Sequence, residues 1–213
     1  MVKMISRYTP LAVCSGNITN KIYSVDFGKL APSADVVTVT GGSTATVFDY
    51  EKPIEIDAPY GAALSVVASG ASTSDINIKG FDYLGQPMME TVTLSGTTAV
   101  ATKKCFKYIE RIEIPASTAV TITITRKLIL GLPYRTTKIL AEERDGNTST
   151  TSQLIAPTTV ASTAVSVEPR GKFNLATYAS AAHVVAVLVA SDEVFTINGK
   201  EEGGLFGIPH FSA

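Results

Sequence analysis

Three pairs of carboxylates lie close enough along the chain to share a proton: Glu55 with Asp57, Glu142 with Glu143, and Glu201 with Glu202. Paired carboxylates are what glycoside hydrolysis requires, one as acid and the other as base or nucleophile. Positions 55 and 57, two apart in a strand, fall on one face. Solvated acidic side chains on an exposed face explain the same residues, and the chain has no Trp to build a sugar platform. Metal chemistry needs three or four convergent ligands. His183, His210, Cys14 and Cys105 are far apart in sequence and show no ligand spacing. Asp145, Asn147 and Ser149 offer oxygens, but the further acidic ligands of a calcium loop do not follow. No serine-nucleophile elbow and no phosphate loop occurs, and Asp26-Phe27-Gly28 matches a kinase tripeptide without any other kinase element. No catalytic, cofactor or metal site is expected, so the chain does not read as an enzyme.

Lys103, Lys104, Lys107 and Arg111 form the one basic cluster. It serves either as a docking patch for an acidic protein surface or as a solvated face. Lys plus Arg number 18 against 19 for Asp plus Glu, and only 17% of residues are charged. That balance excludes nucleic-acid binding by bulk electrostatics. No apolar run approaches the roughly 18 residues that cross a bilayer, so no membrane partner is expected. Leu11-Ala12-Val13-Cys14 lacks the preceding apolar region of a signal sequence, and Val13 is too large for a cleavage position. Synthesis without export follows, and with it two free, partly buried thiols.

The elements that carry these residues are strands. Thr, Val and Ile make up roughly three residues in ten, a composition that fits pleated, half-buried surfaces better than helices. Val120, Ile122 and Ile124 alternate with Thr121, Thr123 and Thr125. Ile76, Ile78 and Gly80 alternate with Asn77, Lys79 and Phe81, and after the turn formers of 82–87 the alternation resumes to Leu94, a β-hairpin pattern. Shorter strand signals lie at 22–27, 36–40, 44–50, 53–57, 62–69, 106–114, 160–167, 173–175 and 183–195. The run 138–145 suits either a strand or one or two helical turns. Turns at roughly ten-residue intervals predict an all-β protein with a β-sandwich or jelly-roll-like core. Three regions are expected: an irregular N-terminal arm over 1–34, the sandwich core over 35–130, and a smaller C-terminal β region over 131–213 packing on it. Gly131-Leu132-Pro133-Tyr134 and Gly207-Ile208-Pro209-His210 repeat a bend of Gly, apolar residue, Pro and ring, which two chain reversals or two packed bends would produce.

The segment 75–109 resembles a recurrent unit of tailed-bacteriophage virion proteins. Gly80-Phe81-Asp82-Tyr83-Leu84-Gly85-Gln86-Pro87 is similar to its "G-x-D-x-x-G-x-P" turn. Glu90 to Gly96 follows as "E-T-V-T-L-x-G", and Lys104 to Ile109 as "K-x-F-K-x-I". Gly131-Leu132-Pro133, Arg170-Gly171 and the tail from Phe206 to Phe211 resemble its later signatures, so the resemblance covers roughly 75–213, with a departure at Lys172-Phe173. It implies a capsid decoration, or cement, protein: a homotrimer on the capsid exterior of the virion, made in the host cytoplasm and bound to the major capsid protein, with no cofactor. The alternatives are a tail or neck component, or a carbohydrate-binding β module. The expected partner contacts are Tyr8, Ile18 and Tyr23 of the arm, Lys103 and Lys104 of the basic cluster, Pro133 and Tyr134 of the first bend, and Phe206, Pro209 and Phe211 of the tail.

Overall fold

A computed structural model describes residues 21–30, 35–133, 136–149, 153–155, 170–175, 183–191, 196–197 and 200–201. All regular structure among them is β. In chain order the strands are β1 (Lys21–Leu30), β2 (Asp35–Thr40), β3 (Thr46–Glu55), β4 (Ala62–Ala68), β5 (Asp75–Phe81), β6 (Pro87–Thr93), β7 (Val100–Ala101), β8 (Tyr108–Ile114), β9 (Thr121–Gly131), β10 (Thr136–Arg144), β11 (Asn147–Ser149), β12 (Gln153–Ile155), β13 (Lys172–Asn174), β14 (His183–Ser191), β15 (Thr196–Ile197) and β16 (Lys200–Glu201).

Strands β2 to β9 form the core as a rolled hairpin. β5 pairs with β6, β4 with β7, β3 with β8, and β2 with β9, each antiparallel, like successive rungs outward from the 82–86 turn. Rolling that ribbon adds the pairs β5–β8 and β4–β9. Two sheets result, ordered β2-β9-β4-β7 and β3-β8-β5-β6. Consecutive strands mostly cross from one sheet to the other, which is the strand order of a jelly roll. The period-2 patterns decide which side faces in. Leu64, Val66, Ile122 and Ile124 of one sheet and Ile76, Ile78, Ile109 and Ile112 of the other are fully buried in one apolar cluster. Burying each such side chain stabilises the fold by roughly 1.5–3 kcal/mol.

The remaining strands extend this core. β13 pairs with the last residues of β9, beyond the stretch that pairs with β2, and β12 adds to β13. A separate antiparallel sheet runs β1-β14-β10-β11, and β15 pairs with β16. β14 is central in its sheet, and half-buried Val184 and Ala186 alternate with buried Val185 and Val187. Its Val185, Val187 and Val189 join the same apolar cluster as Val25, Phe27 and Leu30 of β1. Phe27 stacks on Phe173 with ring centroids 5.4 Å apart and meets Tyr60 edge-on at 6.0 Å.

The all-β expectation and the β5–β6 hairpin hold. The short strand expected over 22–27 within the arm is present and longer, a ten-residue strand paired along β14, from Lys21 opposite Ser191 to Leu30 opposite His183. The signals at 44–50 and 53–57 belong to one strand, β3, whose register against β8 breaks between Asp49 and Ile54. Pro53 lies in that break, where its missing N–H leaves no ladder bond unmade. The ambiguous run 138–145 is strand β10 and the turn after it. The signal at 160–167 lies outside the described residues.

Candidate functional site

The rolled hairpin sends alternate connections to opposite ends of the sandwich. One end collects the loops 41–45, 69–74, 94–99 and 115–120. Their sequences are Gly-Gly-Ser-Thr-Ala, Ser-Gly-Ala-Ser-Thr-Ser, Leu-Ser-Gly-Thr-Thr-Ala and Pro-Ala-Ser-Thr-Ala-Val, without a charged or aromatic residue among them. The loops are knitted together by backbone bonds. Gly41 N–H donates to the Val120 carbonyl at 3.1 Å, Thr118 N–H to Gly42 at 3.1 Å, Leu94 N–H to Ser74 at 2.9 Å, and Gly96 N–H to Ser72 at 2.8 Å. The Thr118 hydroxyl donates to Ser74 Oγ at 2.8 Å. Small residues permit this closeness: a Cβ on Gly41 would collide with the Thr118 carbonyl oxygen. Ser43, Thr44, Ala45, Thr73, Thr97, Thr98, Ala116 and Ser117 are left exposed on a firm, uncharged plate.

That plate continues onto the outer face of the β2-β9-β4-β7 sheet. Thr38, Thr40, Thr121, Thr123, Ser65 and Val67 point outward there, opposite in parity to the buried Val39, Ile122, Ile124 and Val66. The hydroxyls of Thr40 and Thr121 lie 3.1 Å apart, and Thr121 N–H donates to Ser69 Oγ at 3.0 Å, which ties the face to the plate.

The outer face of the β3-β8-β5-β6 sheet is different in kind. Asp49, Arg111, Lys79 and Met89 line up across it, and Val47, Glu113, Asn77 and Thr91 form the next row. Lys79 Nζ donates to Glu113 Oε1 at 2.6 Å, Arg111 Nε lies 3.1 Å from the same oxygen, and Asn77 donates to Oε2 at 3.4 Å. The Lys79 hydrogen bond, with the charges of Lys79 and Arg111 around it, holds the Glu113 carboxyl below the usual carboxylate range. Lys107 acts likewise on Glu55, 2.8 Å away.

The far end of the sandwich is charged and aromatic, and it carries the C-terminal strands. Arg170 pairs with Asp82 at 2.9 Å and lies 4.9 Å over the Tyr83 ring; the two charged side chains are only 13% and 9% exposed. The other Asp82 oxygen accepts the N–H groups of Leu84 and Gln86, closing the 82–86 turn. Tyr83 meets Tyr60 edge-on at 5.4 Å, and its hydroxyl donates to the Pro133 carbonyl. Lys107 Nζ donates to the carbonyls of Ile56 and Ala58 at 3.2 and 3.0 Å. Every one of these groups joins one chain segment to another within the molecule.

The basic cluster divides, because the register shift that skips Glu110 in β8 puts Lys107 and Arg111, positions of equal parity, on different sides. Lys107 turns to the 55–58 segment and Arg111 to the charged sheet face. Lys103 and Lys104 sit on the β7–β8 connection at the open β6 edge. Buried Glu90 of β6 accepts both their backbone N–H groups, at 2.7 and 2.9 Å. Lys103 is exposed, and Lys104 Nζ donates to the Met89 carbonyl at 3.0 Å. Pro133 is buried inside the chain. Tyr23 lies in β1, opposite Val189. Tyr8, Ile18, Tyr134, Phe206, Pro209 and Phe211 lie outside the described residues. Glu55 and Asp57 do not converge on a site: Glu55 pairs with Lys107 and Asp57 is exposed in the following loop. Glu142 is buried and pairs with Arg144 at 2.6 Å. Asp145 begins the β10–β11 turn, where its carboxylate accepts the Val184 N–H at 2.9 Å. Cys105 is buried, and its thiol donates to the Ile129 carbonyl at 4.0 Å. Among the described residues no group of His, Cys, Asp and Glu could hold a metal ion.

Sequence reasoning missed the uncharged plate. Each loop reads as an ordinary turn, and only the rolled topology brings the four to one end. Comparison of the chain with family models, with curated proteins and with solved structures found no match.

Proposed function

We propose that the protein is a structural component of a tailed-bacteriophage virion that decorates the outside of the head. It binds the major capsid protein lattice as a homotrimer and holds neighbouring capsid subunits together. The observation that carries the reading is the uncharged plate, continuous with the hydroxyl face of the adjoining sheet. Interface cores are depleted of charged residues because stripping water from a charge is costly. Gly, Ala, Ser and Thr also lose little side-chain entropy on contact, whereas each long side chain immobilised costs about 0.5–1.5 kcal/mol. The resemblance of 75–213 to virion proteins supports the same reading.

The mechanism is mechanical. A rigid sandwich with one end seated across a junction binds the assembled lattice and not its separated parts, so it stabilises assembly by mass action. A closed trimer engages several such junctions at once and gains avidity. The test is a pull-down of purified heads lacking decoration with the wild-type chain and with a Thr97→Glu, Ala116→Glu variant. Wild-type binding that the variant loses supports the reading, and equal binding by both removes the plate from it. Copy number separates head from tail or neck: hundreds per particle against about a dozen, as lattice and ring symmetries dictate.

A carbohydrate-binding module is the second reading, and one feature favours it. Tyr108 and Phe81 sit side by side on the charged sheet face, next to the row of Lys79 and Arg111. A glycan array with wild type and Tyr108→Ala decides it, since a sugar that binds there loses its stacking partner in the variant.

A further inference from the structure

Among the described residues the sandwich has two open edges, and their exposed charged side chains differ in sign. β2 and β3 form one edge and β6 and β7 the other, because a short connection keeps each pair on one side. On the first edge β3 presents Asp49, Glu51 and Glu55. Asp49 and Glu55 stay 64% and 62% exposed although Arg111 and Lys107 approach them from within, and Lys52 is exposed beside them. On the second edge Lys103 and Lys104 lie together, and the Lys172 side chain reaches them from β13, which pairs with β9 on the side opposite β4. Lys172 Nζ donates to the Lys103 carbonyl at 2.7 Å and Lys104 Nζ to the Met89 carbonyl at 3.0 Å. Each ammonium has three donors, so anchoring by one leaves others for a partner. The nearby carboxylate, Glu90, is buried and turned to backbone N–H groups.

We infer that copies of this chain associate head to tail, the Lys103/Lys104/Lys172 edge of one against the Asp49/Glu51/Glu55 edge of the next. The occupant is a second copy, since each edge supplies the charge the other lacks. Two different patches meet, so the contact is heterologous, and such contacts generate a ring when the rotation closes. The inference takes self-association from the virion reading and depends on nothing else in it. It also explains how these edges avoid indiscriminate strand pairing, because charged side chains and a Lys on a free carbonyl are how open edges are protected.

The experiment is sedimentation velocity on the full chain and on two charge reversals, Lys103→Glu with Lys104→Glu, and Asp49→Lys with Glu51→Lys. Wild type is expected to associate at low salt and to weaken several-fold between about 0.05 M and 0.5 M, as the Debye length shortens. Each reversal alone is expected to weaken association at least about tenfold, because like charges then face each other. An equimolar mixture of the two reversals is expected to associate again, since one carries two acidic edges and the other two basic ones. An edge that met its own kind would give no such rescue, because one reversal would then leave association unchanged. Circular dichroism confirms that each variant is folded, and Lys103→Glu with Lys172→Glu replaces the first pair if Lys104 is needed for folding. A monomeric wild type at low salt, an association indifferent to salt, or folded variants that fail to recombine overturns the inference. Association with no copies on the virion would remove the virion reading and leave this one standing.

Discussion

The two ends of the sandwich are built from the same rolled hairpin and have opposite chemistry. At one end four loops of Gly, Ala, Ser and Thr hold each other by backbone bonds and expose no charge. At the other, Arg170, Asp82, Lys107, Tyr83 and Tyr60 lock the loops to the C-terminal strands through ion pairs and ring contacts. At these two ends charge sits where the loops fasten to other segments and is absent where the loops are exposed. A loop end facing only water gains solubility from charge. Four uncharged loops at one end fit the proposed seating on a partner.

The largest effect is expected at the charged end. Arg170→Ala leaves Asp82 nearly buried without its cation, and removing one partner of a buried pair costs about 3–5 kcal/mol. A drop of that size in urea denaturation is expected. A loss below about 1 kcal/mol, typical of surface pairs, would break the contrast. Next comes Gly41→Ala at the plate, where the new methyl meets the Thr118 carbonyl. Overpacking of this kind costs about 1–3 kcal/mol, read as a lowered midpoint without loss of sheet signal. A third test separates stability from contact. Thr97→Glu with Ala116→Glu should move stability by no more than about 0.5 kcal/mol, as exposed substitutions do, yet lower binding to undecorated heads by at least about tenfold. The smallest effect belongs to the charged sheet face. Glu113→Gln should cost less than about 1 kcal/mol at neutral pH. Because the folded state depresses the Glu113 pKa, its contribution is present above the ordinary carboxylate range and lost as pH falls through the depressed value. The variant should therefore match wild type in strongly acid solution and fall behind it only at higher pH, as denaturation midpoints across the acid range will report.

Much of the fold is legible in the chain because alternation is a local signal. Ile122 and Ile124 against Thr121, Thr123 and Thr125 state both the strand and its buried face. Glu90 shares its parity with Val92 and Leu94, so the sequence already points it inward. Its partners, the backbone N–H groups of Lys103 and Lys104, are visible only once β6 and β7 close one edge. The same two lysines read as a basic cluster in one dimension. In three, Lys107 and Arg111 leave them and Lys172 joins, which side-chain reach decides and spacing does not. β1 is legible only over 22–27. Gly28 and Asp26 break its pattern at a register shift, and its partner β14 lies more than 150 residues away.

The most direct test of the central claim is cryo-electron microscopy of particles from the genome that encodes this chain. The account predicts jelly rolls in trimers over the outer shell, with the loops 41–45, 69–74, 94–99 and 115–120 seated on the lattice. Shells bare of the protein, or copies seated by the opposite end, would contradict it.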